Sequence, residues 1–458
     1  MKIGRRALLG TGLAAVAVLA GGGRARASRP ALLRAAPARV QLAPEGYSET
    51  EVWAYEGRVP GPEISVPRGG RVHRHLINEL PQPTAVHWHG IRIDNAMDGV
   101  PGMTQKAVDP GQGFVYEFTV PDAGTYWYHT HNRSWEQLAR GLAGPLIVRE
   151  DAPPDTDADI TVALNDWRLT REAALAGDFG NLHDFSHAGR IGNLVTVNGA
   201  FEMQRPAARH ERLRLRLINM ATARVLTLGF DGLEGWIVAL DGMPLARPEP
   251  LGEVTLAPAQ RADVIVDVTA EAGGEAVIYH RVRDGGFALA VFAVGPGTRA
   301  RRPAPGALPP NALPALDLGG ARRLALRMEG GAMRGLPGGA EFEGRQMDMP
   351  ALVERGQVWA FNGVAGMAEA PLFGLARGET IRLDLVNDTA FPHAIHLHGH
   401  HFREIRADGP GPWRDTTLVA PGATAPIVLA GDNPGDWLLH CHMLGHQASG
   451  MKTWFRVG

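Results

Sequence analysis

Four short histidine-rich motifs dominate the chemistry that this chain could perform. They are His87-Trp88-His89-Gly90, His129-Thr130-His131, His396-Leu397-His398-Gly399 and His440-Cys441-His442. With His393, His400, His401 and His446 they gather twelve of the 18 histidines. In a strand, residues i and i+2 point to one face. Each H-x-H pair therefore sets two imidazoles side by side, an arrangement suited to metal. As plain core residues they would bury polar nitrogens at a cost. Cys441 is the only cysteine, so no intrachain disulfide can form.

Alternation sends Cys441 to the face opposite His440 and His442. The cysteine can then serve one metal while its neighbours serve another. A thiolate, two imidazoles and a weak axial thioether make a blue-copper electron-transfer site. His393, Cys441 and His446 would supply the strong ligands, and Met451 the weak one. Eight other histidines remain: His87, His89, His129, His131, His396, His398, His440 and His442. Imidazole-only ligation suits copper, and eight exceed the four ligands of a usual zinc site. A cluster of several copper ions between two domains is the economical reading.

The elements that must position these residues read as strands. Pro67 to Asn78 (PRGGRVHRHLIN), Ala208 to Asn219 (ARHERLRLRLIN) and Ala376 to Asn387 (ARGETIRLDLVN) repeat one alternating pattern ending in an Asn. The first and third copies are followed by H-x-H-G motifs. The middle copy carries Leu226-Thr227-Leu228-Gly229 at that place and is expected to be a spacer without metal. With 58 Gly and 34 Pro, an all-β chain of three Greek-key sandwiches is expected. The expected domains are 36–150, 151–300 and 320–458, with a Pro-rich linker at 301–319 lying extended on the surface.

Arg5-Arg6, the mild apolar run Ala7 to Ala20 and Ala25-Arg26-Ala27 resemble a twin-arginine export signal spanning residues 1–27. Cleavage near Ala27 and a periplasmic mature protein are expected. The formal net charge of −2 gives no basis for a nucleic-acid partner.

These motifs resemble the multicopper oxidase family, in its three-domain bacterial laccase-like branch, over nearly the whole mature chain. The resemblance implies cupredoxin-like domains and four copper ions. A type 1 ion would take His393, Cys441, His446 and Met451. A type 2 ion would take His87 and His396. A type 3 pair would take His89, His129, His131, His398, His440 and His442. It implies oxidation of a phenol, aromatic amine or Cu(I), one electron at a time through Cys441, with four electrons reducing dioxygen to water. Asp98 matches the acid that bacterial relatives use to deliver protons. Where those relatives often carry Glu after the last type 1 histidine, this chain has Gln447, which cannot exchange a proton. Asp415 resembles a residue that supports the ligands from behind. Met328, Met333, Met347, Met349 and Met367 form a loose set that either binds Cu(I) or fills loops and core. A cuprous oxidase and a copper-free structural relative are the alternative readings. A monomer is expected.

Overall fold

The computed structural model describes residues 29–458; the export-signal segment lies outside the described residues. Strands dominate, and the α-helices among the described residues are four to six residues long. The sheets fall into three stacked groups along the chain. Two four-stranded sheets lie within 31–149, a six- and a five-stranded sheet within 158–298, and another such pair with a small two-stranded sheet within 322–457.

The three repeated sequences occupy the same place in each group. Arg71–Asn78, Arg212–Asn219 and Thr380–Asn387 each run parallel to one strand and antiparallel to another. Parallel neighbours inside otherwise antiparallel sheets require a crossover, which is how a Greek-key sandwich is threaded.

The closing Asn has a physical role in all three copies. Asn78, Asn219 and Asn387 are fully buried. Each Oδ1 accepts from the backbone N–H two residues on, at 2.9–3.0 Å (Leu80, Ala221 and Thr389). Each Nδ2 donates to carbonyls of two separate chain segments. The Asn thus fixes the turn that feeds the next strand of the opposite sheet. That next strand is Val86–His89, Leu226–Asp231 or His393–Leu397.

Each group has its own apolar core, around Val72 and Leu76, Leu213 and Leu215, and Ile381 and Leu383. The Pro-rich segment has neither helix nor strand from 299 to 317. It is more firmly anchored than a free linker. Leu308 packs beside Val238 and Ile265. Asn311 exchanges two hydrogen bonds, of 2.8 and 2.9 Å, with the backbone of Ala123.

Candidate metal centre

Two strand pairs present the H-x-H motifs. Val86–His89 lies antiparallel to Gly124–Thr130 with His87 opposite His129. His393–Leu397 lies antiparallel to Gly435–Cys441 with His396 opposite His440 and Ile395 opposite Cys441. The two pairs face each other across the junction of the first and third sandwiches. Gly90 and Gly399 follow their motifs at φ +82° and +64°. A side chain at Gly399 would strike the Trp437 indole at 2.4 Å, so the turn leaving the strand needs glycine.

Among the described residues, four clusters made only of histidine and cysteine ligand atoms result, each with its atoms within 4.8 Å of one another. They are His87, His89 and His396; His89, His129 and His442; His131, His398 and His440; and His393, Cys441 and His446. Cys441 thus lies with one cluster while His440 and His442 lie in two others. Met451 is fully buried, and its carbonyl accepts from the Cys441 N–H at 3.1 Å.

Hydrogen bonds fix which ring nitrogen carries the proton. His393 Nε2 donates to Thr389 Oγ1 at 2.8 Å, and His446 Nε2 to the His187 carbonyl at 2.6 Å. Both Nδ1 atoms then carry lone pairs, yet they face each other at 3.0 Å, with Cys441 Sγ 3.6 and 3.7 Å away. His440 Nδ1 donates to the Cys441 carbonyl and His398 Nδ1 to Asp98 Oδ2, each at 2.9 Å. Their Nε2 atoms meet at 3.1 Å. Lone pairs that converge in this way repel unless a cation lies between them. His87 Nε2, His89 Nδ1, His131 Nε2 and His396 Nε2 are buried without a protein partner. Left dry, each would cost about 1–3 kcal/mol. This donor set fits bound metal, and the thiolate with two imidazoles fits copper.

Burial keeps these rings neutral, as ligands must be. It drives His89, His129, His131, His393, His398, His440 and His442 well below the usual imidazole range, and His446 to about 4. Burial likewise pushes the Cys441 thiol up to about 12, so the thiolate forms only against a positive partner.

Family profiles described as multicopper oxidase match residues 38–153, 158–291 and 344–458. Multicopper oxidase MmcO of Mycobacterium tuberculosis is 30% identical, over 94% of this chain and 88% of that protein. Copper resistance protein A of Pseudomonas syringae pv. tomato is 27% identical, over 88% and 89%. The crystal structure of Lac15 from a marine microbial metagenome superposes with a TM-score of 0.77 at 43% identity, covering 93% of this chain and all of that one. The chain belongs to the multicopper oxidase family. It is a three-domain, cupredoxin-fold oxidoreductase that uses copper and takes dioxygen as its electron acceptor.

In this multicopper oxidase, four further polar side chains surround the clusters: Asp98, Gln447, Asp415 and Ser134. Asp98 lies between two rings: its Oδ1 is 3.2 Å from His87 Nδ1 and its Oδ2 accepts from His398. Its carbonyl accepts from His87 Nδ1 at 2.8 Å. Gln447 accepts from Ser134 Oγ at 3.1 Å. Asp415 accepts from His89 Nε2 at 3.2 Å. Burial would raise the Asp415 carboxyl, but the adjacent Arg261 guanidinium and His89 hold it well below the usual range. His400 and His401 are buried outside all four clusters.

The methionines divide between core and surface. Met328 sits in the third core, and Met347 and Met349 pack around Leu352. Met333 and Met367 are exposed.

Two features were invisible in the sequence. Trp359 packs 5.0 Å from the His393 ring and 4.5 Å from His446. Its Nε1 donates to the Phe185 carbonyl at 2.6 Å. The short helix Leu182–Ser186 of the middle domain also covers the outer edge of His446. Beside it opens a cavity of about 760 Å³, bordered by Arg168, Asp184, His187, Ile191 and Phe391. His183-x-x-x-His187 was the one readable signal there.

Proposed function

We propose that this multicopper oxidase is laccase-like: it takes single electrons from phenols or similar organic donors and reduces dioxygen to water. The observation that carries this reading is the division of three consecutive residues, with Cys441 in one ligand cluster and His440 and His442 in two others.

The proposed assignment gives a type 1 ion to His393, Cys441, His446 and Met451. A type 2 ion falls to His87 and His396. A type 3 pair falls to His89, His129, His131, His398, His440 and His442. When bound, copper supplies one-electron storage at four ions, matching the four electrons that dioxygen needs. The protein's residues do the rest. Trp359 and the Leu182–Ser186 helix keep water from the His393 and His446 rings. The cavity beside His187 seats the donor, one hydrogen bond from His446. Its apolar wall of Ile191 and Phe391 suits an aromatic ring. Its acids, Asp178 and Asp184, are already paired with Arg168 and Arg190, which disfavours ferrous ion as the donor. Asp98 holds a proton-accepting oxygen against His398 and is the proposed proton relay. Gln447 holds Ser134 and passes no proton.

Cuprous oxidation is the second reading, supported by the similarity to a protein named for copper resistance. Export through the twin-arginine machinery, cleavage near Ala27, a periplasmic site and a monomeric state complete the proposal. Among the described residues, no helix is long and apolar enough to cross a membrane.

The test is oxygen uptake by fully copper-loaded enzyme with phenolic, cuprous and ferrous donors compared at steady state. The highest kcat/KM is expected for phenols. A faster cuprous reaction would favour the second reading. Absence of bound copper and of uptake with every donor would contradict both.

A further inference from the structure

The middle domain contributes none of the proposed copper ligands, yet one of its side chains reaches the junction of the other two domains. Arg261 opens the strand Arg261–Val268 and is fully buried. Its Nη1 and Nη2 donate to the two oxygens of Asp415 at 2.9 and 2.7 Å. Its Nε donates to the Thr125 carbonyl of the first domain at 3.1 Å. One guanidinium therefore joins all three domains.

Asp415 carries that hold onto the ligands. Its Oδ1 accepts from His89 Nε2 at 3.2 Å, and its backbone carbonyl accepts from His396 Nδ1 at 2.8 Å. The two rings come from different domains and stack with centroids 3.8 Å apart. Their remaining nitrogens, His89 Nδ1 and His396 Nε2, are the unpartnered ones. A second contact braces the same segment: Arg414 Nε donates to Asp241 Oδ2 at 2.6 Å, and Asp241 Oδ1 accepts from the Arg261 N–H at 2.9 Å. Gly90 makes room, since a Cβ there would lie 2.4 Å from both Arg261 Nη2 and Asp415 Oδ2.

We propose that Arg261 is a positioning residue for the imidazole cluster: through Asp415 it orients His89 and His396 so that rings from two domains present their free nitrogens together. The proposal rests on the ligand assignment above. A bidentate fork fixes both the distance and the plane of a carboxylate, which a lysine cannot do. Residues that orient metal-binding histidines from behind typically change metal affinity by ~10–100-fold. Arg214 supplies the contrast within the same sheet. It is equally buried and paired, with Glu150 and Asp263 at 2.6 Å, but touches no histidine.

The test compares Arg261→Met, Arg261→Lys and Arg214→Met after copper loading. Copper is measured by metal analysis under chelator competition, the type 1 ion by its red absorption, the type 2 ion by its paramagnetic signal, and the fold by thermal unfolding. Both Arg261 variants are expected to keep the red absorption and to lose cluster copper at ~10–100-fold lower chelator, with an altered type 2 signal. Lys should be the milder, and it reads the proposal should Met fail to fold. Arg214→Met is expected to lower thermal stability without selective loss of cluster copper. Wild-type copper retention and type 2 signal in the Arg261 variants would overturn the proposal, as would parallel loss of red absorption and cluster copper. A wild-type protein that bound only the red ion would instead overturn the ligand assignment.

Discussion

The thiolate site and the imidazole cluster share one strand end but are built on different plans. His393, Cys441 and His446 all come from the third domain, and the middle domain only covers them, through the His187 carbonyl and the Leu182–Ser186 helix. The imidazole cluster draws on the first and third domains equally, and the middle domain braces it through Arg261. The first site depends on one sheet being folded. The second depends in addition on how three domains dock. Damage to docking should therefore affect oxygen reduction before it affects electron uptake.

The largest expected separation comes from His396→Ala. Oxygen reduction should fall by at least ~100-fold, while the red absorption and its bleaching by a phenol persist in stopped flow. Loss of the red absorption together with turnover would merge the two sites into one cooperative unit. Asp98→Asn should come next. It keeps the shape but removes the proton acceptor, so reoxidation of reduced enzyme by dioxygen should slow by ~100-fold. Reduction by donor should stay normal. Reoxidation at the wild-type rate would remove Asp98 from the relay.

Acid sharpens the comparison further. The buried imidazoles have folded-state values below the unfolded value of ~6.5, with His446 at about 4. Their neutral forms stabilise the fold fully above pH ~6.5, and that stability is lost as pH falls through the folded values. The metal-free protein should show a melting temperature that drops steeply from about pH 6.5 to 4, and bound copper should move that loss to lower pH. A flat profile would mean that the rings are not held neutral by burial. The smallest effect is expected from Met333→Ala combined with Met367→Ala. Both side chains are exposed, so cuprous and phenol oxidation should each change by less than ~2-fold. Selective loss of cuprous oxidation would restore the methionines as a Cu(I) site.

Much of this division was legible in the sequence because strand alternation is a local rule. H-x-H and H-C-H motifs declare which side chains share a face, and the Asn-terminated repeats declare where the strands that precede them end. The all-β class followed from the same alternation and the Gly and Pro content. Beyond the ligand sets that the family resemblance implied, contacts between distant segments were not legible. Arg261 reads as an ordinary strand residue in Gln260-Arg261-Ala262-Asp263; only docking places it against Asp415, 154 residues away in the chain. The cover over His446 comes from His187, 259 residues earlier. The methionine stretch left core filling and Cu(I) binding both open in the sequence, and Met328, Met347 and Met349 take the core-filling role. The Pro-rich segment read as an extended surface linker, and its anchoring through Leu308 and Asn311 to the middle and first domains was not legible.

The most direct measurement is made on Cys441→Ser. The variant, copper-loaded and folded, is expected to lack red absorption, to retain the copper of the imidazole cluster with its type 2 signal, and to show no donor-driven oxygen uptake. Oxygen uptake at the wild-type rate, or red absorption that survives the substitution, would contradict the claim that this cysteine links the two centres.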